Sequence, residues 1–171
     1  AAQNPKVLPS PWYNLHVVEA KANDINTVVL ALQEKMEEKD GPYYVSLDAE
    51  WPTHQYTKKK KGNVSLLPVV VRLPNESLPQ VYLIRLKGLK TLPSELVKWL
   101  TNREYTFYGV HVGGDISNLA RDYNLPNLKD RVRTIELGTM ARRRDKVAKG
   151  NVGLAHLSEV VVGRKLDKDE D

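Results

Sequence analysis

Tyr43-Tyr44-Val45-Ser46-Leu47-Asp48-Ala49-Glu50-Trp51 is the stretch from which the rest of the chain can be read. Side chains on a strand alternate between faces, so Ser46, Asp48 and Glu50 share one face while Val45, Leu47 and Ala49 share the other. Two carboxylates then project side by side. Anions that close repel each other and raise each other's pKa unless a positive partner holds them ionised, and oxygen-seeking Mg²⁺ or Mn²⁺ is the usual partner. Exposed edge strands also carry acid-x-acid pairs satisfied by water or lysine, so the reading needs a third acid. Asp115 supplies one, placed after Gly113-Gly114 where a strand is predicted to hand over to a helix. A carboxylate in the first turn of a helix is favoured in its ionised form by unpaired backbone amides, which suits either a metal ligand or a plain helix cap.

Working outward, residues 15–20 are predicted as a short strand. Asn23 or Asp24 is a cap for a helix with Ile25, Val28, Val29, Leu32 and Met36 on one apolar face, stopped by Asp40-Gly41-Pro42. After the strand bearing Asp48 and Glu50, residues 64–73 and 80–86 read as strands joined by a turn over residues 74–77. Pro93-Ser94 opens a helix through Trp99 and Leu100, with Ser94 a candidate cap. Residues 105–112 give a fourth strand and residues 132–135 a fifth. Helices follow each of these two, from Asp115 (Ile116, Leu119, Ala120 and Tyr123 forming its stripe) and over residues 154–162, ending at Gly163. That order predicts an α/β protein with a mixed five-stranded sheet of ribonuclease H-like layout, an antiparallel hairpin on one side and parallel strands with covering helices on the other.

The chain of 171 residues is predicted to form a single domain over residues 1–171, with neither an internal repeat nor an interdomain linker. Because it does not open with Met, it is expected to be part of a longer protein with further domains. Without cysteine, a disulfide framework and a thiolate metal site are both excluded. No apolar run approaches the roughly 20 residues needed to cross a bilayer, and Ala1-Ala2-Gln3-Asn4-Pro5 has no signal pattern. The expectation is an intracellular protein of the nucleus or cytoplasm with no membrane partner. A formal charge of +5 favours a polyanion, with two basic clusters: Lys58, Lys59, Lys60 and Lys61, read as a flexible loop tip, and Arg131, Arg133, Arg142, Arg143 and Arg144.

These residues carry a resemblance. Val45 to Trp51 resembles the first motif of the DEDD 3′-to-5′ exonuclease superfamily, and Tyr108-Gly109-Val110-His111-Val112-Gly113-Gly114-Asp115-Ile116-Ser117-Asn118-Leu119 resembles the second. Residues 81–86 are similar to the third strand of the ribonuclease D and Werner-type branch, and residues 153–168 to the helix before its third motif. The similarity runs from Leu15 to the end of the chain. It implies two-metal hydrolysis of phosphodiesters at the 3′ end of DNA or RNA, with Mg²⁺ or Mn²⁺ as cofactors. By the same resemblance Asp48 binds both metals, Glu50 the ion that activates water, and Asp115 the other. Trp51, Tyr44 and Tyr56 are candidates for stacking on terminal bases, with packing in the core the competing role. His111 is expected to alternate with the sheet and to pack or hydrogen-bond there.

The chain departs from the family at its fourth carboxylate. The family places an acid four residues after a Tyr or five after a His, yet here Tyr123 is followed by Asn127 and His156 by Val161 at those spacings. Asp167, Asp169 and Asp171, at a charged end expected to fray, are poor substitutes, since loosely held ligands bind Mg²⁺ weakly. Beside the exonuclease there is thus a second reading, a catalytically inactive ribonuclease H-like module that binds RNA or a protein partner.

Overall fold

The computed structural model describes residues 13–38, 40, 43–74, 76–163 and 165. The strands are β1 (Asn14–Val18), β2 (Tyr44–Leu47), β3 (Leu66–Arg72), β4 (Gln80–Arg85), β5 (Phe107–Gly109) and β6 (Thr134–Glu136). The helices are α1 (Ala22–Glu37), α2 (Ser94–Thr101), α3 (Val112–Asp122), α4 (Leu128–Arg131), α5 (Leu137–Arg143) and α6 (Leu154–Leu157), the last continuing as a π-helical turn, Ser158–Val162. The strands form one mixed sheet in the order β1-β4-β3-β2-β5-β6, the ribonuclease H-like arrangement, with β2 inside it. The sheet has six strands where five were expected, because β1 docks parallel on the open edge of β4, from Asn14 opposite Gln80 to Val18 opposite Ile84. β2, β3 and β4 are antiparallel neighbours, whereas β2, β5 and β6 run parallel.

One face of the sheet carries the core. Val45, Leu47, Val69, Val71, Tyr82, Ile84 and Phe107 point into it and meet Ile25, Val29, Leu32 and Met36 of α1, Leu96, Trp99 and Leu100 of α2, and Val112, Ile116 and Leu119 of α3. The helical and strand periodicities in the sequence describe this core well. The caps differ. Lys21, not Asn23 or Asp24, occupies the N-cap of α1, and Asp24 falls in the first turn, where its charge suits the helix dipole. Ser94 opens α2 without capping it; Asn26 Oδ1, from α1, accepts the Glu95 amide instead at 3.0 Å. Gly41 and Pro42 of the expected helix stop, and Leu166, Asp167, Asp169 and Asp171, lie outside the described residues.

The other face is thinly covered. Ser46 and Val70 line a groove of about 580 Å³ there together with Tyr108, Met140 and Arg144. Beyond α5, Leu154, Val161 and Val162 expose apolar surface on α6 and the π-helical turn.

Two local features set the sheet around β2. The β2–β3 register stays constant from Tyr44 opposite Arg72 to Glu50 opposite Leu66, which places Pro68 opposite Asp48. The Asp48 amide donates to the Pro68 carbonyl at 3.1 Å, but proline has no N–H with which to return the bond, so regular pairing lapses at Asp48 and Ala49. On the other side of β2, a Cβ on Gly109 would lie 2.7 Å from the Leu47 carbonyl oxygen, so β5 approaches β2 here as only glycine allows.

Gly109→Ala should therefore destabilise the fold by about 1–3 kcal/mol in chemical denaturation, as overpacked core sites do. Gly113→Ala, where a Cβ meets nothing within 4 Å, should instead stabilise α3 by up to about 1 kcal/mol.

Candidate active site

Asp48, Glu50 and Asp115 come from two elements that the Gly109 contact draws together. Asp48 and Glu50 follow β2 on its alternation and are exposed, while Asp115 lies in the first turn of α3 with 6% of its surface accessible. β5 is shorter and α3 starts earlier than the sequence predicts, with His111 as the N-cap in the left-handed region (φ 57°). His111 is thus exposed at a strand-to-helix corner and does not alternate with the sheet. Glu136, at the end of β6, accepts the backbone N–H groups of His111 at 2.9 Å and of Val112 at 3.3 Å. Since Glu136 caps the helix, Asp115 is not spent on that task. Sequence spacing gives no hint of Glu136, whose role follows from the parallel pairing of Gly109 with Glu136.

The acids interact strongly. Burial, then the Asp48 charge, a hydrogen bond with the Asp48 carboxyl and the Glu50 charge push the pKa of Asp115 up to about 8. The Ala49 amide alone works in the opposite direction, and the same N–H donates to Asp48 Oδ1 at 2.9 Å, so two carboxyls compete for one donor. Glu50 is also raised, by partial burial first and then by the charge of Asp48 and a hydrogen bond with it. Asp115 Oδ2 is buried without a hydrogen-bond partner among the described residues. A buried carboxyl so disposed beside two exposed ones carries a standing cost that a divalent cation relieves, and an all-oxygen donor set suits Mg²⁺ or Mn²⁺. The donor chemistry fits a metal. The spacing is looser: among the described residues, no group of three or more His, Asp or Glu side chains stands close enough to hold one ion.

The remaining candidates separate. Trp51 is half-buried and packs on the core, with the Lys60 ammonium 5.8 Å from its ring centroid. Lys60 is bound to Asp122 Oδ2 at 2.5 Å, so it is no free phosphate contact. Tyr56 and Lys58, Lys59 and Lys61 are exposed at and beside the tip of a hydrogen-bonded hairpin, where the sequence predicts a loop tip. Tyr44 is exposed at the far end of β2, lining the groove. The arginines form two groups: Arg133 bonds the Arg103 carbonyl and Arg131 approaches Thr101 before β6, whereas Arg142, Arg143 and Arg144 lie at the end of α5.

Solved structures similar to this chain in overall fold include the EXD2 exonuclease domain in several soaks. The domain soaked in Mn is 26% identical, with a TM-score of 0.57 over 90% of this chain and 71% of that one. Soaked in Mg and GMP it is 26% identical, with a TM-score of 0.56 over 90% of this chain and 72% of that one. Soaked in Mn and Mg it is 25% identical, with a TM-score of 0.55 over 90% and 71%. Neither a protein-family model nor a curated protein sequence matches the chain.

The raised pKa of Asp115 has a thermodynamic sign. The folded state keeps a proton that the unfolded chain releases near pH 4, so this contribution is complete below that pH and is lost as pH rises through about 8. In chelator, stability measured by thermal denaturation should fall across this window by an amount on the order of a few kcal/mol, and Asp115→Asn should flatten the profile. Added Mn²⁺ should raise the melting temperature more at pH 8 than at pH 5.

Proposed function

We propose that this chain is a 3′-to-5′ exonuclease domain of the DEDD superfamily, ribonuclease D and Werner-type branch, acting on nucleic-acid phosphodiesters with Mg²⁺ or Mn²⁺. The observation that carries the reading is Asp115: a buried carboxyl with an unpartnered oxygen, set against Asp48 with no cation among the influences on its charge. A scaffold has no use for that arrangement, which costs stability at neutral pH, whereas a divalent-ion site requires it. The likeness to an exonuclease domain studied with Mg, Mn and GMP supports the same chemistry.

In this reading Asp48, Glu50 and Asp115 hold the cations, which when bound supply charge stabilisation for the phosphoryl oxygens and a nucleophile at neutral pH. The chain's own part is positional. β2 presents Asp48 and Glu50 at its carboxyl end, α3 carries Asp115 to Asp48, and Glu136 fixes the start of α3 by binding two of its amides. The Ala49 amide orients Asp48 through Oδ1.

A second reading, the inactive module that binds RNA or a protein, draws on the absence of a three-ligand cluster among the described residues. Hydrolysis separates the two. With Mn²⁺ the protein should shorten a 5′-labelled strand stepwise, and Asp48→Ala should abolish the ladder. Internal cuts, or full activity in Asp48→Ala, would overturn the exonuclease. Metal-independent binding without any hydrolysis would favour the inactive module.

A further inference from the structure

Beyond Glu50 the chain leaves the sheet as a hairpin with its own ladder. Lys61 N–H donates to the Pro52 carbonyl at 2.8 Å, His54 N–H to Lys59 at 2.9 Å, and Lys58 N–H to His54 at 2.9 Å, closing the turn, with Thr53 bridged to Lys60. Lys58 sits at φ 53°, a left-handed conformation that costs a side-chain-bearing residue about 1 kcal/mol and that glycine would adopt freely. At the tip Tyr56 is 92% exposed, well above any other large apolar side chain among the described residues. Lys58, Lys59 and Lys61 are exposed around it and make no ion pair among the described residues.

The base of this hairpin is locked. Lys60 turns inward onto Asp122 and over Trp51, and Asp122 also accepts the Val64 amide at 2.8 Å. Tyr123 O–H donates to the Val64 carbonyl at 2.6 Å. Burial opposes the Asp122 charge, but the Lys60 and Val64 hydrogen bonds and the charges of Lys60 and Arg121 outweigh it and hold the carboxyl below its usual range. Asp122 lies seven residues after Asp115 on α3, about two turns on and so on nearly the same face of the helix. The helix that carries a site acid thus also clamps the hairpin.

We propose that residues 52–61 are a preformed arm that grips an unpaired nucleic-acid strand leading into the carboxylate site, Tyr56 stacking on a base and Lys58, Lys59 and Lys61 contacting phosphates. Lys60 and Trp51 are the fastening and touch no substrate. The proposal rests on the nuclease reading only for where the strand leads. An exposed ring finds free base faces in a single strand and none along a duplex, so the arm selects unpaired substrate over blunt duplex. From Glu50 to Tyr56 the extended backbone reaches at most about 20 Å, which keeps the contact within a few nucleotides of the acids.

Fluorescence anisotropy in chelator, with a labelled single strand and a blunt duplex of the same sequence, tests the arm apart from hydrolysis. The wild-type protein should prefer the single strand. Tyr56→Ala should weaken that binding about tenfold and spare the duplex, with Tyr56→Phe retaining affinity. Replacing Lys58, Lys59 and Lys61 together by alanine should reduce the slope of log affinity against log salt by about 2. No binding by the wild type, equal losses on both substrates, or an unchanged slope would overturn the arm. Binding with this pattern and no hydrolysis in Mn²⁺ would leave the arm standing and overturn the nuclease.

Discussion

The contact between Gly109 and the Leu47 carbonyl governs the geometry on which everything else depends. Without a side chain at that point, β5 closes on β2 and the chain turns directly into α3, whose first turn meets the end of β2. A larger residue would move the helix outward and take Asp115 away from Asp48. The site is therefore a product of backbone proximity, and its charges are forced together by the sheet.

Such crowding is tolerable because the environment is arranged around it. Glu136 takes over the capping of α3, the Ala49 amide provides a donor, and among the described residues no cationic side chain neutralises the pair. The contrast with Asp122 is instructive. That carboxyl, at the other end of the same helix, is also largely enclosed, yet Lys60 and the Val64 amide keep it ionised. One acid is fully provided for by the protein and the other is left wanting a partner.

Much of this was legible in the sequence. Alternation placed Asp48 and Glu50 on one face, and periodicity found the buried residues of α1 and α3, because both follow from local geometry. The caps were misassigned at Asn23, Asp24 and Ser94 since the groups that satisfy those helix ends, or leave them bare, are fixed by tertiary neighbours such as Asn26. The lysine run looked uniform as letters, but strand alternation sends Lys60 inward to Asp122, a partner 62 residues distant that no local pattern reveals. The strand at residues 15–20 was legible, but its place as the sixth member of the sheet was not, because its pairing is set by the open flank of β4, more than 60 residues away in sequence.

Pro68 leaves the sheet with an intentional gap. Every other rung between β2 and β3 restrains both strands, but the one at Asp48 is held from one side only. Small adjustments of the peptide at that acid are thus uncoupled from the surrounding ladder, so the carboxylate that faces Asp115 is tied less tightly than its neighbours while the packed strands on either side stay still.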